Sequence, residues 1–267
     1  MAGPLFSARV AVLRRLNGLF RTEVRTHLST AEQTAHEMRK AAGTMGRYLA
    51  ECETHDIDVL DFGCGWGGET LWLAERVRTV VGYDVERGSV EQANLALAVH
   101  GQTNCRFVSS SDGRLPLPES SVDAVFSTDT FEHVMDLHLA YSEIFRVLRP
   151  GGALRTAFGP LFYSPFGYHL QWACQVPYAH LMFGLAPILE LRREHTGTDV
   201  TAQCWEDTGL NRKRFVDFRA AAHAAGFELE RFHAVPVRGL SIATKIPGIR
   251  DLLTFGVDCV ARKPRAA

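Results

Sequence analysis

The sequence predicts an α/β fold: a doubly wound, mainly parallel sheet of about seven strands with one insertion. Short apolar runs without polar alternation recur between amphipathic segments from residue 55 to residue 160, as in strands buried on both faces. Two more such runs near the C-terminus have no long helix between them, which indicates a terminal antiparallel strand pair. Residues 160–211 show neither periodicity and are rich in aromatic residues, proline and histidine, so we expect an insertion after the fifth strand.

The individual elements follow from local signals along the chain. The predicted strands are 57–63, 79–85, 105–112, a segment within 121–134, 153–160, 227–235 and 253–263. The predicted helices are 29–51, 68–77, 88–101, 138–148 and 211–226. Ser29 or Thr30 can cap the first helix, because an acid, Glu32, follows at the spacing of a capping box. The motif RPGG at 149–152 predicts a helix stop and a turn before the fifth strand.

The composition is that of an ordinary globular protein. The chain has 267 residues, of which 46% are hydrophobic and 22% charged, and its net charge is −1. A charge so close to neutral gives no bulk attraction to nucleic acid, and no apolar run is long enough for an integral membrane segment. The six cysteines contain no CxxC pair, which favours a reducing compartment. We therefore expect a cytoplasmic protein without a nucleic-acid partner.

The first 22 residues form a basic segment with helical periodicity. They contain four arginines and no acid, and apolar residues recur near helical spacing. Such a segment can imitate a transit peptide, lie on a membrane surface, or pack as an amphipathic helix on the domain or over a pocket. We favour the packed helix, since the apolar run is too short and interrupted for a secretory signal. The predicted organisation is an N-terminal helical cap at 1–54 and one domain at 55–267, with 160–211 as an insertion or lid.

The segment VLDFGCGWGGET, Val59–Thr70, is the most unusual part of the chain. Four glycines, at positions 63, 65, 67 and 68, follow an apolar strand and open a helix. A helix N-terminus presents unpaired N–H groups to an anion, and glycines let a ligand approach the backbone closely. GCGWGG fits the dinucleotide pattern GxGxxG loosely, whereas no GK[ST] follows that would indicate a P-loop. This motif alone leaves several nucleotide ligands open, as well as a tight turn without any ligand.

Acidic residues stand at three successive strand ends. Asp84 follows the glycines by roughly 20 residues, and a carboxylate there can accept both hydroxyls of a ribose. Asp112 ends the third predicted strand and can accept from an exocyclic amine such as that of adenine. Asp61 precedes the glycines and can face a cationic group directly or through water. Because ligands in such sheets bind at the carboxyl ends of the strands, we expect the three acids in one crevice.

Four stretches carry a family resemblance: VLDFGCGWG, VVGYDVERGSVEQA, SSSDGRLPLPESSVDAVFSTDTFEHV and EIFRVLRPGGAL. In their order and spacing they resemble the class I S-adenosylmethionine-dependent methyltransferases of small-molecule type. The resemblance covers roughly residues 55–160, and the chain from Arg212 onward fits the last helix and strand pair of that family. It implies a Rossmann-like fold, S-adenosylmethionine as cofactor and methyl transfer as activity. It does not identify the acceptor.

The resemblance also implies roles for individual residues. Those implied to bind the cofactor are Asp61, Gly63 and Gly65 at the methionine end, Asp84 at the ribose, Val85, Asp112 and Gly113 at the adenine, and Thr128 at the methionine moiety. The segment DTFEHV stands where such enzymes often have LEHV, and Phe131 is the residue that departs. No metal site is predicted, because the spacings of Cys174, His180 and His195 match no compact ligand pattern.

Three residues are candidates for the chemistry. His133 follows the fourth strand at the expected crevice and is the first candidate for a general base. His169 is the second, since it lies early in the insertion, which commonly covers the acceptor in this family. Tyr163 is nearby in the sequence and could donate to an acceptor oxygen. A base is needed only for a hydroxyl or an activated carbon, so each histidine also has a purely structural interpretation.

The acceptor is inferred from the insertion. Its many aromatic residues indicate a small apolar or aromatic acceptor, and we favour methylation at oxygen, with carbon or nitrogen as alternatives and secondary metabolism as the setting. An RNA acceptor is disfavoured because the chain has no basic stripe. A dinucleotide oxidoreductase leaves Asp112 and the terminal strand pair unexplained. The alternative from another class is a catalytically silent module that binds the cofactor as a regulatory or scaffold partner.

Overall fold

One seven-stranded sheet organises the residues that the computed structural model describes, which are 4–20, 29–238, 246 and 248–265. The strands are β1 Asp58–Phe62, β2 Thr79–Tyr83, β3 Cys105–Val108, β4 Val122–Thr128, β5 Leu148–Phe158, β6 Glu228–Pro236 and β7 Thr254–Arg262. Their order across the sheet is β3-β2-β1-β4-β5-β7-β6. Strands β1 to β5 run parallel, and β7 is antiparallel to both of its neighbours, β5 and β6. The predicted fold class is therefore confirmed.

Helices cover both faces of this sheet. The α-helices are α1 Pro4–Asn17, α2 Thr30–Ala50, α3 Gly68–Ala74, α4 Arg87–His100, α5 Leu137–Val147, α6 Ala179–Phe183, α7 Leu185–Thr196, α8 Phe215–Ala224 and α9 Arg250–Leu253, and 3₁₀ helices lie at Phe131–His133 and Glu206–Thr208. Helices α5 and α8 pack on the face that carries Leu60. Helices α2 and α3 pack on the other face, which carries Val59. Successive strand residues thus face opposite layers, as in a doubly wound sheet.

The boundaries of three elements show which local signals hold. Ser29 caps α2 in a capping box: its hydroxyl accepts from the N–H of Glu32, and the Glu32 carboxylate accepts from the N–H of Ser29 at 2.8 Å. Helix α3 ends at Ala74, three residues before the predicted end at 77. Strand β3 ends at Val108 and not at Asp112, because Asp112 starts a turn in which its carboxylate accepts from the N–H of Arg114 at 3.0 Å.

The motif RPGG does not form the predicted turn before the fifth strand, because it lies inside β5. The register of β5 against β4 shifts between Val122 and Ala124, so RPGG forms a bulge in the strand. The bulge stays in the sheet because Gly151 donates its N–H to the Lys263 carbonyl at 2.9 Å, and Lys263 donates back to the Gly152 carbonyl at 2.8 Å. The prediction was wrong because this partner lies at the far end of the chain.

Helix α1 packs on the insertion. Val10 and Leu13 are buried in one apolar cluster with residues of α7 and of the loops that precede it. The side chain of Asn17 donates to a backbone carbonyl of the insertion at 3.0 Å, which ties the end of α1 down. Residues 1–3 and 21–22 of the basic segment lie outside the described residues. Among the described helices, none combines the length and the apolar character needed to cross a bilayer.

Replacing Leu13 with alanine is expected to lower the free energy of unfolding by about 2–4 kcal/mol, because it leaves a cavity between α1 and the insertion. Urea denaturation measures the loss. The matched control is Val12→Ala on the exposed side of the same helix, for which we expect a change within about 0.5 kcal/mol. Equal stabilities of the two variants would contradict the observed packing of α1.

Candidate active site

A crevice of about 680 Å³ opens at the carboxyl ends of β1, β2 and β4, a size suited to a nucleoside-like ligand. The sequence-predicted residues that line it are Gly63, Gly65, Asp84, Val85, Asp112, Gly113 and His133. Asp61 and Thr128 are buried and do not line it. The carboxylate of Asp61 accepts from the hydroxyl of Thr70 at 2.6 Å, and the hydroxyl of Thr128 donates to Glu69 at 2.5 Å.

Asp84 joins the glycine loop to the start of α4. Its Oδ2 accepts from the N–H of Gly65 at 3.0 Å, and its Oδ1 accepts from the N–H of Glu86 at 2.9 Å. A carboxylate can accept about four hydrogen bonds, so each oxygen keeps capacity for a further donor. Asp84 lines the crevice, and therefore it can accept from two hydroxyl groups of a ligand.

The glycine at position 63 is required by a close approach within the protein. Gly63 has φ +83°, and its N–H donates to the carbonyl of Tyr83 at the end of β2 at 2.8 Å. A Cβ at this position would lie 2.3 Å from the side chain of Thr130, which follows β4. Any larger residue would push the loop away from the segment after β4 and so widen the crevice floor.

The N-terminus of α3, where a phosphate-binding loop would hold its anion, is occupied by a carboxylate of the protein itself. Oε2 of Glu37, on α2, accepts from the N–H of Gly68 at 2.9 Å. A Cβ on Gly68 would lie 2.5 Å from the side chain of Glu37, so only glycine lets the carboxylate come this close. A phosphate at this helix end would compete with Glu37 and be repelled by it.

The charge of the crevice wall is strongly one-sided. Its acidic residues are Asp84, Glu86, Asp112, Asp129 and Asp136, and no lysine or arginine is among the described residues that line it. A phosphate-bearing dinucleotide would meet an excess of like charges here, since Lys40 pairs with Asp129 and Arg114 with Asp112 while the wall carries five acids. A ligand with a positive centre is favoured instead.

Two buried acidic residues also favour a ligand with a positive centre. Burial and the neighbouring Glu69 carboxylate raise the pKa of Asp61 well above its ordinary range, and burial also raises the pKa of Glu69. Lys40 on α2 is their nearest cation, with Nζ 3.7 Å from Oε1 of Glu69 and 2.5 Å from Oδ2 of Asp129. The described residues here therefore include several carboxyl groups and one ammonium group. A positive ligand would reduce the electrostatic repulsion among the carboxyl groups.

Comparisons with known proteins point to the same kind of ligand. Residues 60–156 match the family described as methyltransferase domain. A probable S-adenosylmethionine-dependent methyltransferase of Mycolicibacterium smegmatis is 38% identical over 95 residues, which are 36% of this chain and 35% of that protein. Cycloartenol-C-24-methyltransferase of Arabidopsis thaliana is 36% identical over 99 residues, which are 35% of this chain and 28% of that protein. The chain thus spans about a third of the length of these curated relatives.

One solved structure extends the comparison over most of the fold. A geranyl diphosphate methyltransferase in complex with S-adenosylmethionine has a TM-score of 0.55 and 17% identity, over 87% of this chain and 88% of that one. At this identity the likeness concerns the fold alone. The family match, the relatives and the acidic crevice all indicate S-adenosylmethionine as the cofactor. Residues 60–156 match a methyltransferase domain, and the sheet has the fold of S-adenosylmethionine-dependent methyltransferases.

The crevice fits S-adenosylmethionine by the chemistry of its donors and acceptors. Asp84 offers acceptors for the two ribose hydroxyls, and the acidic surroundings suit the sulfonium and the ammonium group of the methionine part. Val85 and Leu139 both line the crevice and offer apolar side chains to an aromatic ring. Asp112 and Gly113 close the same end, where they could meet the edge of an adenine.

His133 is held in one tautomer by the end of the insertion. It belongs to the 3₁₀ turn after β4, and its Nδ1 lies 2.8 Å from the carbonyl of Gly209. A carbonyl only accepts, so Nδ1 carries the proton and Nε2 is left with a lone pair. Asn211 fixes the turn, because its Nδ2 donates to the carbonyls of Phe131 at 2.7 Å and of Val134 at 2.8 Å.

The other two candidate catalytic residues are not among the residues that line the crevice. His169 donates from Nε2 to the carbonyl of Pro160 at 2.7 Å, and its ring centre lies 5.0 Å from that of His133. Burial lowers the pKa of His169 to about 4, so its ring is neutral at physiological pH. Tyr163 packs edge-on against Phe162 inside the insertion.

Several residues of this site were not predicted from the sequence. Glu37 and Lys40 belong to a helix outside the family motifs, and Asn211 lies at the end of the insertion, so no local pattern marks them. Glu69 and Glu132 carried a signal that could have been used, since each is an acid within an apolar segment at a strand end or helix start. Buried acids in such positions often belong to functional sites.

Glu132 gives the protein a stability that depends on pH. It is buried; Oε1 accepts from the N–H of Gly159 at 3.1 Å, and Oε2 has no hydrogen-bond partner among the described residues. Burial raises its pKa from 4.5 to about 8. The folded protein therefore keeps a proton that the unfolded chain releases above pH 4.5, so this group's contribution to stability falls as pH rises from 4.5 to about 8.

Glu132→Gln is expected to remove this slope, which amounts to at most about 1.4 kcal/mol per pH unit. Urea denaturation of both proteins across this pH range measures it, and the variant should gain relative to the native protein as pH rises. Glu119→Gln, at an exposed carboxyl, is the matched control and should leave the slope unchanged. A slope that persists in Glu132→Gln would show that other groups cause it.

Proposed function

We propose that this protein transfers the methyl group of S-adenosylmethionine to an oxygen of a small acceptor with an apolar body, with His133 as general base. The observation that carries the proposal is the tautomer of His133. Its Nδ1 proton is engaged by the carbonyl of Gly209, so the lone pair on Nε2 is the free site of a residue that lines the crevice. A hydroxyl acceptor needs such a group, whereas a carboxylate acceptor would not.

We propose that S-adenosylmethionine binds in the crevice, with each of its parts next to the residues whose chemistry suits it. S-adenosylmethionine supplies an electrophilic methyl group on its sulfonium. In this assignment Asp84 accepts from the ribose hydroxyls, while Asp112 and Gly113 meet the adenine edge and Val85 its face. The backbone at Gly63 and Gly65 lies along the methionine part, and buried Asp61 and Thr128 support that loop from behind. The residues then act mainly by alignment and by exclusion of water.

We assign different roles to the three candidate catalytic residues. His133 is the proposed base, because of the three only His133 lines the crevice. His169 is proposed to hold the ring of His133 from behind, which its neutral state and its bond to Pro160 support. Tyr163 is proposed to contact the acceptor or to support its pocket from within the insertion.

An apolar acceptor is supported by the side chains around the crevice and the insertion. Val134 and Met135 line the crevice and follow His133 in the chain. The insertion contributes its own apolar cluster, in which Phe162 and Trp205 are buried. A small aromatic or prenyl-like compound of secondary metabolism in the cytoplasm suits these surroundings.

Methylation at carbon is the second candidate, and the names of the relatives favour it. Cycloartenol-C-24-methyltransferase is one of them, and sterol 24-C-methyltransferases are others. The matched stretches are 98 to 99 residues long, too short to contain both the glycine loop at 63–68 and the end of the insertion at 211. The likeness to these relatives therefore does not extend over both of these regions.

Methyl-labelled S-adenosylmethionine and an acceptor panel test the proposal. The panel contains phenols, prenyl alcohols, sterols and highly polar compounds, and the readouts are demethylated cofactor and the carbon resonance of the transferred methyl. We expect turnover with apolar hydroxyl compounds and an oxygen-bound methyl. A carbon-bound methyl would support the second candidate, and turnover with polar acceptors alone would refute the apolar acceptor. Cofactor binding by calorimetry without any turnover would favour a silent binding module.

A further inference from the structure

The outward side of α1 carries large apolar side chains that the described part of the chain does not cover. Leu5 is 76% exposed, and Val12, seven residues later and so on the same side of the helix, is 52% exposed. The helical turn that follows α1 adds Leu19, which is 78% exposed, and Phe20. Single exposed apolar residues are normal on protein surfaces, but four within one short segment are not.

The opposite side of α1 fixes the direction in which these side chains point. Val10 and Leu13 are buried against the insertion, so the side with Leu5 and Val12 must face away from it. Leu181 and Met182 of α6 are also exposed beside α1, since the guanidinium of Arg9 donates to the carbonyl of Met182 at 3.3 Å. We call the side chains of Leu5, Val12, Leu19, Phe20, Leu181 and Met182 the α1 patch.

The charged residues of the segment that carries most of the α1 patch are all basic. Residues 4–20 contain Arg9, Arg14 and Arg15 and no acid. Arg14 forms an ion pair with Glu194 of α7 and so anchors the helix, while Arg15 is exposed beside the apolar side chains. Apolar side chains bordered by arginines on a surface helix are typical of helices that lie in the headgroup region of a membrane.

We propose that the α1 patch binds the surface of a membrane that contains anionic lipids. The apolar side chains would enter the boundary between headgroups and acyl chains, and Arg15 would face the headgroup charges. Because α1 packs on the insertion, this contact brings the insertion to the lipid surface. If the proposed function holds, a lipophilic acceptor could enter from the bilayer, but the binding itself does not depend on that function.

Sedimentation of the full chain with vesicles tests the proposal without cofactor or acceptor. We expect binding to vesicles of phosphatidylcholine with phosphatidylglycerol, weaker binding to phosphatidylcholine alone, and a further loss at high salt. The triple variant Leu5→Ser, Val12→Ser and Leu19→Ser should bind at least about tenfold more weakly. Arg15→Glu keeps every apolar side chain and should weaken binding to the anionic vesicles by about tenfold.

The matched control changes exposed apolar residues on another helix. Leu95 and Val99 of α4 are 59% and 85% exposed, and the double change to serine should leave vesicle binding unchanged. The proposal is overturned if the native protein does not sediment with anionic vesicles, or if the control loses as much binding as the triple variant. The proposal is also refuted if the native protein does not bind vesicles and light scattering shows that it forms a dimer, which the triple variant abolishes. Should the triple variant not fold, as judged by circular dichroism, Arg15→Glu decides.

Discussion

Asp84→Ala is expected to weaken the binding of S-adenosylmethionine by about 1.5–3 kcal/mol, or about 10-fold to 150-fold in Kd. The variant loses the proposed charged acceptor of two ribose hydroxyls. It also frees the N–H of Gly65, which loosens the glycine loop at the same point. Isothermal titration calorimetry with the cofactor measures the effect, and circular dichroism checks that the sheet is intact.

Asp112→Ala provides the comparison for this result. The side chain of Asp112 is 64% exposed, and one of its oxygens already accepts from the backbone of Arg114. A hydrogen bond from a ligand to Asp112 therefore contributes less binding free energy. We expect the loss of cofactor affinity to be several times smaller than for Asp84→Ala. An affinity that is unchanged in Asp84→Ala would refute the ribose role of this carboxylate.

His133→Ala is expected to lower kcat by about 10²-fold to 10⁴-fold, the usual contribution of a positioned general base. The affinity for the cofactor should stay near that of the native protein, because the Asp84 end of the crevice is untouched. Steady-state kinetics with a hydroxyl acceptor from the panel measure kcat and KM, and calorimetry measures the cofactor. The effect should shrink at high pH, where the acceptor hydroxyl ionises without help.

His138→Ala is the matched control for this prediction. His138 is exposed on α5, near His133 in the sequence but outside the crevice lining, and its replacement should not change kcat. A kcat of His133→Ala equal to that of the native protein would mean that the acceptor needs no base. The acceptor would then be a carboxylate or a nucleophile that is already ionised, and the oxygen of a hydroxyl would be excluded.

The position of the crevice and most of the residues that line it could be predicted because their signals are local. The glycine loop, Asp84 and the continuous apolar strands lie within short segments whose residue types follow directly from backbone geometry and burial. The carboxyl ends of neighbouring parallel strands then bring distant segments to one edge without further information. The location of the crevice therefore followed from the order of the elements alone.

The acceptor half could not be predicted in the same way. The tautomer of His133 depends on the carbonyl of Gly209, 76 residues later, and the turn that carries it depends on Asn211. The RPGG bulge depends in the same way on Lys263. Each of these contacts joins irregular segments, for which neither periodicity nor capping chemistry gives a signal. The sequence could name His133 as a candidate but could not say which nitrogen is available.

The contact between Glu37 and Gly68 means that ligand choice by the glycine loop is not a property of the loop itself. The carboxylate that blocks phosphate comes from α2, 31 residues upstream, and its removal would leave a bare helix end with unpaired N–H groups. Transplanting VLDFGCGWGGET into another strand–helix unit would transfer the turn without Glu37. The carboxylate that opposes phosphate at the helix end would then be missing. Exchanging Glu37 for a neutral residue would free this helix end, while the acidic side chains of the crevice wall would still repel a phosphate.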